Sequence, residues 1–149
     1  SPVWAPPHAD TQGQGLMLPV VQSLRDPQGK LLGVAVLEIS FQYLVDKLMI
    51  IALPGLQEAY LLDDQARVMV RSSERNRLIG MPYGAFNPQQ ALDNPLFDQD
   101  RVVAAISTGS SGFLRYQRNG RPVLLAYYRL GALGWTYALE VDEEAFLKL

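Results

Sequence analysis

Residues 22–48 read QSLRDPQGKLLGVAVLEISFQYLVDKL, a turn, a strand and the start of a helix in one run. Arg25-Asp26-Pro27-Gln28-Gly29 is turn chemistry: Pro27 presets φ, and Gly29 accepts φ > 0 without a Cβ clash. Residues 16–22 before it and 30–39 after it are rich in apolar and β-branched side chains, as paired strands are. The period then changes. Phe41, Leu44, Val45, Leu48 and Ile51 follow helical spacing, with Ser40 as N-cap and Pro54-Gly55 as the stop. The stretch therefore predicts a hairpin whose second strand feeds a helix.

The end of the chain repeats the move. Leu37-Glu38-Ile39-Ser40 closes the first strand, and Leu139-Glu140-Val141-Asp142 closes the last. Each ends in a capping Ser or Asp, and an apolar helical segment follows, FQYLVDKL or EEAFLKL. Glycines stand upstream of both glutamates, Gly33 and Gly134. Two units in tandem are implied, each ending in a sheet strand that feeds a helix.

A chain of 149 residues, 48% of them hydrophobic, can bury one ordinary core or two small ones and does not read as disordered. The net charge of −2, with Lys and Arg dispersed, gives no sign of the basic face that nucleic-acid binding requires. The apolar run over 48–53 is too short to span a bilayer. Without cysteine there are no disulfides, thiolate metal sites or cysteine nucleophiles. The start at Ser1-Pro2 rather than Met predicts a piece of a longer protein.

Taken in order, residues 1–14 form a proline-rich extended segment in which Trp4 is expected to pack on something. The hairpin and helix occupy 16–53. Within 30–39, Leu32, Val34, Val36 and Glu38 share one strand face, so Glu38 needs either an open sheet end or a donor. Residues 57–73 predict a second hairpin, with strands 59–62 and 67–71 around Asp63-Asp64-Gln65-Ala66. Residues 74–111 carry few strand signals. Met81-Pro82-Tyr83-Gly84 and Asn94-Pro95 break the stretch, and 98–107 is its best helix candidate. Strands 113–118 and 121–129 flank Asn119-Gly120, strand 135–141 comes last, and a helix begins at Asp142. Two strands, a loop-and-helix crossover, three strands and an exit helix is the order of a PAS-like module. The fold class is α+β: a PAS-like antiparallel five-stranded sheet with flanking helices, preceded by a partial second unit.

These features, in this order, resemble the double Cache sensor domain of bacterial transmembrane receptors. The resemblance rests on Trp4-Ala5-Pro6-Pro7-His8-Ala9-Asp10, on Leu18-Pro19-Val20, and on Asp26-Pro27-Gln28-Gly29 leading into 32–40. It continues through Ala59-Tyr60-Leu61-Leu62-Asp63-Asp64 and the closing Trp135-Thr136-Tyr137 strand. It implies that 1–53 is the C-terminal part of a membrane-distal lobe and 56–149 a whole membrane-proximal lobe, with the long N-terminal helix and first distal strands outside this sequence. It implies a periplasmic or extracellular domain of an inner-membrane protein, homodimeric in the full receptor. The ligand implied is a small molecule, an amino acid or a carboxylate. In amino-acid-binding members the position matching Glu38 is an aspartate that holds the ligand amine.

The candidate ligand-binding residues are Trp4, Asp10, Glu38, Arg115, Tyr116 and Tyr127. Glu38 can hold an ammonium group or simply pair with a Lys or Arg. Trp4 can wall a pocket or plug the core, and Asp10 can meet a ligand or cap a turn. Arg115, Tyr116, Tyr127, Tyr128 and Arg129 lie on adjacent strands, where an arginine with tyrosines can clamp a carboxylate or pack a sheet face and its rim. Glu140, Asp142, Glu143 and Glu144 read as helix-start acids favoured by the helix dipole. His8 is the only histidine, and with Asp10 alone it makes no metal set. Ser107, Ser110 and Ser111 have no nearby histidine base, and no G-x-S-x-G, P-loop or metal-ligand helix occurs. No cofactor, metal or catalytic residue is expected. The function expected is an extracytoplasmic sensor that relays through its C-terminal helix. The alternative is a PAS-like dimerisation or protein-interaction module without its own ligand.

Overall fold

The computed structural model describes residues 1–12, 15–75 and 94–148. The opening turn forms as its residues dictate. Asp26 Oδ1 accepts from Gln28 N and Lys30 N at 2.9 and 2.8 Å, and Gly29 takes φ +84°. On either side run β3 (Leu16–Arg25) and β4 (Leu31–Ser40), in antiparallel register from Met17–Ser40 to Arg25–Leu31. The proline-rich entry is not merely extended. It supplies two short strands, β1 (Val3–Trp4) and β2 (His8–Ala9), which pair in tandem with the other edge of β3. Among the described residues β4 pairs with β3 alone in this four-stranded sheet.

Ser40 caps α1 (Phe41–Leu48), accepting from Tyr43 N at 3.2 Å. Residues 53–56 turn at Gly55 into β5 (Leu56–Leu62), and β6 (Val68–Arg71) follows. Ala66 bears the positive φ in the turn between them. The helix expected over 98–107 is α2 (Asp100–Ser107); it starts two residues later, after the extended backbone of Gln99. Then come β7 (Gly112–Arg118), β8 (Arg121–Arg129), β9 (Thr136–Asp142) and α3 (Glu143–Leu147). Asn119 and Gly120 both take positive φ between β7 and β8. The order across the second sheet is β6-β5-β9-β8-β7, so the last strand is central. The broken stretch around Met81 lies outside the described residues.

The second sheet has two differently covered faces. On the inner face, Val102 and Ile106 of α2 pack with Leu62, Phe97, Leu125 and Tyr127. On the outer face, Phe41 and Val45 of α1, with Leu16 and Leu18 of β3, pack on Ala59, Leu61 and Trp135. Phe41 meets Trp135 edge to face at 5.4 Å. The Tyr137 hydroxyl donates to Leu48 O at 2.6 Å, and Arg75 Nη2 meets Asp46 Oδ1 at 2.7 Å. One apolar core therefore joins the first hairpin and its helix to the second sheet.

The remainder of β4 is uncovered. Leu32, Val34 and Val36 on one face and Leu31 and Leu37 on the other are all exposed, Leu32 to 67% and Leu37 to 62%. At the other end of the chain α3 starts against backbone. Asp142 N donates to Gly55 O at 2.7 Å, and a Cβ on Gly55 would stand 2.9 Å from Ala145 Cβ.

Candidate functional site

The strand register sorts the candidates onto faces. Side chains of directly paired residues share a face, and neighbours along a strand alternate. Trp4 pairs with Val20, which pairs with Leu37; Glu38 pairs with Pro19. Trp4 and Glu38 therefore lie on opposite faces of the first sheet. Trp4 turns toward the second unit, where Leu44, Leu48, Tyr128, Leu130 and Leu133 line a pocket of about 300 Å³ with it.

Glu38 shares its face with His8. His8 Nε2 donates to Glu38 Oε1 at 2.8 Å, across β3, with both side chains half exposed. The donor that Glu38 required is thus the histidine of β2. His8 Nδ1 faces Ala9 O at 3.3 Å. With acceptors at both ring nitrogens the doubly protonated ring is favoured, so the Ala9 carbonyl and then the Glu38 carboxylate raise its pKa above 6.5. Asp10 Oδ2 accepts from Gln12 N at 3.0 Å, and Asp10 N donates to Gly15 O at 2.8 Å, a turn-capping arrangement. Among the described residues no group of three or more His, Cys, Asp or Glu side chains is placed to hold a metal ion.

In the second sheet, Tyr116 and Tyr127 both point to the inner face, because Gly112 pairs with Tyr127 and Tyr116 with Val123. Both are buried there. Arg115 lies on the opposite face and is tied to Glu143 at the start of α3, with Nε and Nη2 at 2.8 and 2.7 Å. It is not assembled with the tyrosines. The arginine beside Tyr116 is Arg118, two residues on and therefore on the same face.

Arg118 organises a buried cluster that sequence reasoning missed. Its Nε donates to Glu140 Oε1 at 2.7 Å and its Nη2 to Glu140 Oε2 at 3.0 Å. Its Nη1 and Nη2 also reach the two oxygens of Asp98 at 2.7 and 2.9 Å. The Tyr116 hydroxyl donates to Glu140 Oε2. Glu140 is 1% exposed. It belongs to the interior of β9 rather than to a helix-start acidic run, and only Asp142 of that run caps α3, accepting from Ala145 N at 2.9 Å. Burial, then the Glu140 carboxylate, push the Tyr116 phenol far above its ordinary pKa. Burial also pushes Tyr60 up to about 12. The signal available in sequence was parity: Tyr116, Arg118 and Glu140 fall on one face once β7, β8 and β9 are in register.

On the outer face, Phe113, Ala126, Tyr128, Tyr137 and Leu139 line an open apolar depression of about 400 Å³, with Phe113 78% exposed.

No known family model matches the sequence. No curated protein matches it either. Solved structures do match. The extracellular domain of mmHK1S-Z2, a protein named as a histidine kinase, is similar at TM-score 0.56 and 17% identity, over 99% of this chain and 52% of that one. The corresponding domain of mmHK1S-Z3 is similar at TM-score 0.54 and 16% identity, over 99% and 51%. The sensory domain of the Campylobacter jejuni chemoreceptor Tlp3, solved with isoleucine bound, is similar at TM-score 0.52 and 18% identity, over 99% and 51%. The chain spans about half the length of each of these domains. The chain therefore shares the α+β fold of these extracellular and sensory domains.

Proposed function

We propose that this chain is part of the extracytoplasmic sensor domain of a bacterial signal-transduction receptor, that it binds a small metabolite, and that it relays the signal through α3 toward the membrane. The observation that carries this reading is the likeness of the chain, almost end to end, to the sensory domain of a chemoreceptor and to the extracellular domains of proteins named as histidine kinases. Residues 1–53 are then the C-terminal part of a membrane-distal lobe, and 56–149 the membrane-proximal lobe. The uncovered β4 fits that division. In the second sheet the equivalent strand, β9, is paired on both edges. On this reading β4 takes its second neighbour from the rest of the distal lobe.

Tlp3 was solved with isoleucine and with valine, so a ligand amine is the natural test for the half-exposed Glu38 carboxylate. Among the described residues no helix is long and apolar enough to cross a membrane. The membrane anchor and the homodimer belong, on this proposal, to the parent receptor.

The open edge of β4 also favours a second reading, an interaction module that pairs this strand with another chain. A thermal-shift screen with amino acids, carboxylates and polyamines separates the two. It is run on residues 1–149 and on a longer form reaching further upstream. Ligand binding to the folded state raises Tm by mass action. An amine-bearing ligand that stabilises either form, with the effect removed by Glu38→Ala, supports the sensor reading. No shift with any compound in either form moves the assignment to the interaction module.

A further inference from the structure

Arg118 ends β7 and faces two carboxylates of opposite character. Glu140 is 1% exposed and sealed under the sheet's inner face, whereas the Asp98 side chain is 63% exposed. The guanidinium between them is 25% exposed. Its outer edge presents two parallel N–H donors, the fork that recognises a carboxylate. Asp98 fills that fork with both oxygens. The inner pair is fixed by burial, and a solvated partner in the outer pair is exchangeable.

The surroundings suit an exchange. The Tyr116 ring centre lies 5.7 Å from the guanidinium carbon. Arg71 lies over the neighbouring Tyr60 ring at 5.4 Å, a second cation on this side of the sheet. Phe97 packs edge to face on Tyr60 at 5.0 Å, and its backbone is bonded to Ala66 O. The chain is therefore anchored immediately before Asp98, so Asp98 can let go without unseating the core. Asp98 does not cap α2; Gln99 takes the N-cap position without a side-chain bond. Its carboxyl is held below the usual carboxylate range, first by the hydrogen bonds from Arg118 and in smaller part by the charge of Arg71, so it competes as a full anion.

We propose that the outer edge of Arg118 is a binding site for the carboxylate of a small organic acid, and that Asp98 occupies it as an internal stand-in. In the exchange one carboxylate takes the place of another in the fork, and the displaced Asp98 side chain turns out into solvent, where it is already 63% exposed. The site is on the inner face of the second sheet and is independent of Glu38.

The test is an acetate and propionate titration of the ¹⁵N-labelled protein, following the Arg118 Nε–Hε resonance. Asp98→Ala removes the competitor, and Asp98→Asn, nearly isosteric, serves if the alanine variant is poorly folded. The expected result is an Arg118 shift at an acetate concentration about tenfold or more below that needed in the wild type, since a tethered competitor acts at millimolar or higher effective concentration. Sodium chloride at equal ionic strength is expected to leave the resonance in place. A folded Asp98 variant whose Arg118 resonance ignores both acids, or responds equally to chloride, overturns the proposal. Glu38→Ala is expected to leave the response unchanged, and loss of the response in that variant would also overturn the assignment.

Discussion

Arg118 grips the buried carboxylate of Glu140 through two of its nitrogens, at 2.7 and 3.0 Å, and so ties β7 to the central strand β9 across the intervening β8. Removing one partner strands the other. Arg118→Ala is expected to destabilise the protein by about 3 kcal/mol, the lower end for a broken buried pair, because Arg118 is itself partly solvated. Glu140→Leu in the same background should recover much of that loss, since the uncompensated charge is gone. Urea unfolding of the two variants checks both statements.

Phe41 is the largest side chain through which the first helix packs on the second sheet, edge to face with Trp135. Phe41→Ala is expected to cost about 3–5 kcal/mol, as large aromatic truncations in a packed core do. The shared core also predicts that the wild type unfolds in one transition whether followed by tryptophan fluorescence or by far-UV circular dichroism.

His8 supplies a pH dependence with a definite sign. Its pKa is raised in the folded state, so its contribution is fully present below 6.5 and is lost as pH rises through the raised value. Following the His8 ring protons by NMR should give a pKa above 6.5, and Glu38→Gln should lower it. The amide protection factor at β2, exchange corrected for its intrinsic rise with pH, should fall above the titration in the wild type and much less in Glu38→Gln.

The open β4 strand predicts self-association of residues 1–149. Ten residues with apolar side chains on both faces and one unpaired edge form a template for another strand. A lysine on that surface, Val36→Lys, should reduce the associated fraction measured by light scattering while leaving Tm nearly unchanged.

Local signals in the sequence announced most elements because they act through neighbouring residues. Asp26 and Gly29 built their turn, Ser40 and Asp142 capped their helices, and Asn119-Gly120 turned its hairpin. The strands β1 and β2 were not legible. Two-residue pairings separated by prolines have no periodicity, and their partner β3 lies further along the chain. The candidate residues followed the same division. Glu38 was found from its strand face, but its partner His8 depends on a pairing across β3. Arg115 stood next to Tyr116 in sequence, yet alternation sends it to the other face and leaves Arg118 as the arginine in reach.

The contact between Gly55 and the start of α3 has a mechanical consequence. Backbone meets backbone there, with room for no side chain larger than hydrogen. Such a joint has no play: there is no rotamer to turn and no gap to close. Under the proposed signalling role, a movement of α1 reaching Gly55 must either carry the first turn of α3 with it or break the Asp142–Gly55 hydrogen bond. Gly55→Ala would wedge this joint open, and under that proposed role it is expected to uncouple α1 from α3.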